Sequence, residues 1–166
     1  MAGSLVLIDS QTVSSAVATL DLGGADWDSS YDVYKVVVNN VVPSLDQKTL
    51  LFRHLDSSNN VLSTNNYDVA FKVLRTDTSH ENAYGTATWA YVVDNYIGTG
   101  TGEVANAVLY LFSSNSSNEY TYHTVESTYM NHSGVLRGAQ GGGVYEVATA
   151  TKGVQFFMNS GNIASG

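Results

Sequence analysis

The side chains best able to do chemistry are few and scattered. Histidine, which titrates nearest neutrality and is the commonest metal ligand, occurs at His54, His80, His123 and His132. A transition-metal site needs ligands at short, regular spacing, and these four have none, so they read as exposed histidines of strands and loops. His123 and His132 can meet across neighbouring strands, but no third ligand accompanies them. Asp26 and Asp28, in the run Gly23-Gly24-Ala25-Asp26-Trp27-Asp28, offer the carboxylates that a calcium ion takes. The remaining ligands of a calcium loop are missing, and Asp and Gly are ordinary turn residues; the run reads as a solvated loop.

Nucleophilic catalysis needs a serine or threonine activated by a positioned base, and no serine sits in a Gly-x-Ser-x-Gly elbow. Asp32, Asp68, Glu126 and Glu146 supply carboxylates for glycoside hydrolysis, yet nothing in their spacing selects a pair. Gly98 to Gly102 and Gly138 to Gly143 are glycine-rich without phosphate-loop spacing and read as flexible loops or bulges. Asn115-Ser116-Ser117 and Asn131-His132-Ser133 match the glycosylation acceptor pattern, as a chain rich in Ser and Asn does by chance. The sequence therefore predicts no catalytic, cofactor or metal site and no enzyme.

Tyrosine is the remaining feature. A tyrosine ring gives rigid amphipathic contact, and neighbouring Asn, Ser and Gly add adaptable hydrogen bonding, a combination suited to recognising proteins or sugars. Tyr84, Tyr96, Tyr120, Tyr122 and Tyr129 are the candidate contacts to a partner or glycan. The competing reading of each is a ring that caps the core, since Tyr is commonly half-buried.

The elements that must position these residues are strands. Val, Thr and Tyr are abundant, and the polar stretches between them are built from Ser, Asn, Asp and Gly. Alternation is plainest from Tyr67 to Arg75, with Tyr67, Val69, Phe71 and Val73 on one face and Asp68, Ala70 and Lys72 on the other. Val104 to Phe112 puts Val104, Val108, Tyr110 and Phe112 on one side with small or aliphatic residues opposite, the pattern of a central strand at least half-buried on both faces. Further strands are predicted at Ser4 to Asp9, Val17 to Leu22, Tyr31 to Asn39, Thr49 to Leu55, Trp89 to Val93, Tyr120 to Met130, Val144 to Ala150 and Val154 to Met158. Thr76 to Thr88 reads as an ordered loop. Turn chemistry and spacing of this kind mark an all-β, antiparallel, jelly-roll-like β-sandwich, and 166 residues fit one domain, 1–166.

Composition narrows the partners. Seven Lys plus Arg stand against fifteen Asp plus Glu, a formal net charge of -8, and without a clustered basic face there is no footprint for nucleic acid. No apolar run is long enough for a membrane helix, and no signal peptide is expected near Met1. The chain has no cysteine, so neither disulfides nor thiolate metal sites are available.

The order of segments resembles small β-sandwich virion proteins of tailed bacteriophages, especially aquatic ones, over most of the chain. The resemblance is carried by Leu5-Val6-Leu7-Ile8, Tyr31-Asp32-Val33-Tyr34, Leu50-Leu51-Phe52-Arg53 and, most specifically, Gly153-Val154-Gln155-Phe156-Phe157 followed by Gly161-Asn162-Ile163-Ala164-Ser165-Gly166. Such proteins usually continue past the last Ser-Gly into a final strand, so here the closing edge is expected to be covered or completed by a neighbouring chain. The resemblance implies a non-enzymatic component of the virion surface. The first expectation is a capsid decoration or cement protein that self-associates, with a trimer the number a threefold site on the shell would select. The second is a tail-fibre or tail-tip module that binds surface glycans.

Overall fold

The computed structural model describes residues 5–78, 80–94 and 96–166. Among them the secondary structure is entirely β, with strands β1 (Thr19–Gly23), β2 (Val33–Pro43), β3 (Leu50–Asp56), β4 (Tyr67–Arg75), β5 (His80–Ala87), β6 (Ala90–Tyr91), β7 (Ala105–Phe112), β8 (Thr121–Met130), β9 (Leu136–Tyr145), β10 (Thr151–Met158) and β11 (Ile163–Ser165). Two antiparallel sheets pack face to face as a β-sandwich. One has the order β1-β10-β3-β6 and the other β11-β2-β7-β8-β9-β4-β5. The chain passes back and forth between the sheets, in the jelly-roll manner, apart from the hairpin β4–β5 and the meander β7–β8–β9.

Period-two patterning explains the core. On β4 the buried set is Tyr67, Val69, Phe71 and Val73, with Ala70 and Lys72 outside, as alternation predicts. These side chains meet Phe52 of β3 and Val154 and Phe156 of β10 across the layer. β7 lies between β2 and β8, a central strand as expected. Ala105, Ala107, Leu109 and Leu111 face the core, while Tyr110 and Phe112 face out.

Four local expectations are corrected. Thr76 to Thr88 is no loop for most of its length: β5 pairs residue by residue with β4, from Tyr67↔Ala87 to Leu74↔His80. It is a polar edge strand held by its backbone ladder, so no apolar alternation betrays it. Gly138 to Gly143 is neither a flexible loop nor a bulge but lies within β9, clamped between β4 and β8. Gly141, Gly142 and Gly143 are required by close approach: a Cβ on Gly143 would run into the Asp68 carbonyl oxygen and sit 2.7 Å from Cε1 of His123, and one on Gly141 would run into the Ala70 carbonyl oxygen and sit 2.8 Å from Cα of Phe71. The strand predicted at Val144 to Ala150 ends at Tyr145, because the next residues carry the chain across to the other sheet, where β10 begins. Leu5 to Asp9 joins no ladder among the described residues, and Ser4, the first residue of the strand predicted there, lies outside them.

The Ile163-Ala164-Ser165 segment forms β11, antiparallel to β2 at Pro43 and Val42. Its other side meets the N-terminal region, with Val17 bridged to Ile163 and the Val13 N–H donating to the Gly166 carbonyl at 2.7 Å.

Candidate interaction surface

The outer face of the seven-stranded sheet is apolar at one corner. Val33 and Val37 of β2, Tyr110 and Phe112 of β7 and Tyr122 of β8 all stand exposed there. Register makes them neighbours: Phe112 lies opposite Val33 on one side and Tyr122 on the other, and Tyr110 lies opposite Lys35 and Thr124. Directly opposed side chains are close enough to touch. The Lys35 ammonium sits 5.9 Å from the Tyr110 ring centroid, within cation–π range, so this cation beside the corner is folded over an aromatic face. A group of large apolar side chains on a rigid sheet is the usual mark of a surface that meets a partner.

Beside this corner the sandwich is open. A cleft of about 590 Å³ runs along the β2 edge, lined by residues 5–11, Leu22, Gly23, Trp27, Tyr31 and residues 33–37. Its floor is tightly fixed. Trp27 and Tyr34 stack with centroids 4.0 Å apart and planes within 1°, the Trp27 indole N–H donates to Ser114 Oγ at 3.2 Å, and Ser114 Oγ lies 2.6 Å from Thr151 Oγ1. The Tyr34 hydroxyl donates to the Asp28 carbonyl and accepts from the Asn115 amide at 2.6 Å.

The five candidate tyrosines fall in different places. Tyr122 belongs to the apolar corner, and Tyr120 is exposed just before β8. Tyr84, on β5, is the most exposed at 83%, but β9 and β4 separate it from the corner. It lines a separate hollow of about 310 Å³ with Asn65, Thr86, Trp89 and Tyr91. Tyr96 lies outside the strands, edge-on to His132 at 6.0 Å, with a φ of 59°. Tyr129 is corrected outright: it is 2% exposed, on the inner face of β8, and burial raises its hydroxyl pKa. Phe112, Tyr110, Val33 and Val37 were not among the candidates. Their signal was present in apolar residues on both faces of Val104 to Phe112 and of Tyr31 to Asn39, a pattern that also describes a strand buried on both sides.

Two of the four histidines are corrected too, whereas His80 on β5 is exposed as expected. His54 and His123 are buried, at 0% and 2% exposure, and both pack edge-on against Phe52, with centroids 5.6 and 5.1 Å away. The two imidazoles, from β3 and from β8, thus share Phe52 as a neighbour, while His132 meets Tyr96. Desolvation holds His54 down at about 3, with His123 as a secondary cause, and holds His123 at about 4. No ring nitrogen of either has a hydrogen-bond partner among the described residues. A neutral imidazole tolerates such a site far better than an imidazolium.

The carboxylates do not converge. Asp68 and Glu126 share the outer sheet face but lie on strands separated by β9, Asp68 accepting from Thr86 and Glu126 from Gln140 at 2.8 Å. Glu81 is held between Arg75 and Arg137, the latter at 3.0 Å. Asp28 takes the Ser30 N–H at 2.8 Å, and among the described residues no group of three His, Asp or Glu is placed to hold a metal ion. The acceptor asparagines are occupied: Asn131 is buried and takes the N–H groups of Ser133 and Val135.

Comparison with family models, with curated proteins and with solved structures finds no match to this chain.

Proposed function

We propose that this chain is a non-enzymatic, self-associating surface component of a tailed-phage particle, docking on the capsid as a decoration or cement protein. The observation that carries the reading is the apolar corner of Val33, Val37, Tyr110, Phe112 and Tyr122 beside an open sheet edge. It agrees with the resemblance of the Leu5–Ile8, Tyr31–Tyr34 and closing segments to phage virion sandwiches. At a net charge of -8, docking on another acidic surface depends on polar and apolar contact more than on long-range attraction. Labelling purified particles for this protein tests the reading. Label over the shell is expected, and label confined to the tail sinks the capsid placement.

A second reading, a tail module for surface glycans, is favoured by the hollow of Tyr84, Trp89, Tyr91, Asn65 and Thr86. Exposed aromatic faces ringed by amide and hydroxyl groups suit stacking on sugars. Binding on a glycan array that is lost in Tyr84→Ala supports it, and an array blank at all concentrations removes it.

A further inference from the structure

Antiparallel pairing alternates between residues that exchange both backbone bonds with the partner strand and residues whose N–H and C=O point the other way. The Ser113 N–H donates to the Asp32 carbonyl, which fixes the phase for β2. Asp32, Tyr34 and Val36 spend their backbone groups on the β7 side. Those of Val33, Lys35 and Val37 point outward, away from β7. β11 covers β2 only at Val42 and Pro43, and among the described residues nothing bonds to the outward groups of Val33, Lys35 and Val37. This stretch of sheet edge is unpaired, and such an edge is a template for another strand.

An apolar segment that joins no sheet lies close by. Leu5-Val6-Leu7-Ile8 is continuously aliphatic, the pattern of a strand apolar on both faces, yet Leu5, Val6 and Leu7 are 84%, 56% and 80% exposed. This arm does not close on its own β2. Asp9 Oδ2 accepts the Gly23 N–H at 3.1 Å, tying the arm to the end of β1, and the cleft stands between the arm and β2.

We propose that the arm of one copy, Leu5–Ile8, adds as an extra strand along Val33–Val37 of a second copy, and that the exchange is reciprocal. The match is chemical as well as geometric. In a strand laid on that edge, alternate side chains extend the outer apolar corner next to Val33 and Val37, and the others enter the cleft over Trp27 and Leu22. Both directions need apolar residues, and the arm has them at four successive positions. The inference names the segment and the edge behind the self-association proposed above. It is tested on purified protein, without particles, so that its failure and that of the virion reading are separable.

The chain has no cysteine, which makes cross-linking decisive. Leu7→Cys and Val37→Cys are made as separate single variants at exposed positions, then mixed and oxidised, alongside the double variant. A disulfide between the two single variants, giving a covalent dimer of 17.8 kDa chains, supports exchange. Cross-linking within one chain of the double variant, with none in the mixture, overturns it in favour of an arm that closes on its own edge. Absence of any cross-link overturns it as well. Sedimentation gives the second readout. Lys35→Pro removes the outward N–H together with the ammonium over Tyr110, which Lys35→Ala removes alone; relative to Lys35→Ala it is expected to raise the dissociation concentration about tenfold for each of the two edges, the worth of one backbone hydrogen bond apiece, and an unchanged value counts against the edge.

Discussion

His54 and Tyr67 are joined twice: their rings lie parallel within 8° at 5.8 Å, and the His54 backbone N–H donates to the Tyr67 hydroxyl at 2.9 Å. The same hydroxyl donates to the Leu62 carbonyl at 2.8 Å, so one tyrosine links β4 to β3 and to the residues that follow β3. Tyr67→Phe removes both bonds and leaves a buried N–H without a partner. A loss of about 1–3 kcal/mol is expected, read as a lower urea midpoint with an unchanged slope.

Acid should unfold this protein through its paired imidazoles. In the unfolded chain both histidines bind protons near the usual 6.5, whereas in the fold burial holds them at about 3 and about 4. Between those limits the unfolded state binds more protons, so stability is full above pH 6.5 and declines as pH falls towards 4 and then 3. The loss by pH 4.5 is on the order of several kcal/mol. Urea midpoints measured across this range should fall steeply in the native chain and more gently in His54→Leu/His123→Leu; parallel profiles would refute the assignment.

Gly143→Ala is expected to cost about 1–3 kcal/mol, the usual penalty for forcing a methyl group into a filled core. Its Cβ meets the Asp68 carbonyl oxygen and, at 2.7 Å, the His123 ring. Adding His123→Ala should restore part of the loss, a coupling that a double-mutant cycle measures.

Phe112→Ser with Tyr122→Ser should leave the chain folded and lower its unfolding free energy by about 1–2 kcal/mol, through the lost cross-strand aromatic pair and lower strand propensity. Binding of the same variant to stripped capsids should fall. Undiminished binding would remove the apolar corner from the docking surface.

Legibility followed contrast between faces. β4 could be read because its buried residues are all large and apolar while Asp68 and Lys72 interrupt the outward face, so the pattern fixed the inner face. β8 carries the same alternation with Thr121, His123 and Ser127 inside, which is why its histidine was read as exposed. On β7 the opposite ambiguity operates, since apolar residues on both faces hid the exposed role of Tyr110 and Phe112. β5 and β9 were missed for a third reason: a polar edge strand and a glycine-rich central strand are held by the backbone ladder and by space, neither of which leaves an apolar period. Of the candidate contacts, Tyr122 alone was both named from sequence and found in the corner, because exposure depends on which strand lies opposite, a property of register.

The register of the smaller sheet also governs when the molecule can form. β10 lies between β1 and β3, pairing Phe157 with Thr19 on one side and with Leu51 on the other. Until β10 has emerged from the ribosome, the apolar run Leu50-Leu51-Phe52 has no central strand to rest on. Such distant pairing implies slow acquisition of structure, on the order of milliseconds to seconds, during which nascent chains are the most prone to stick to one another.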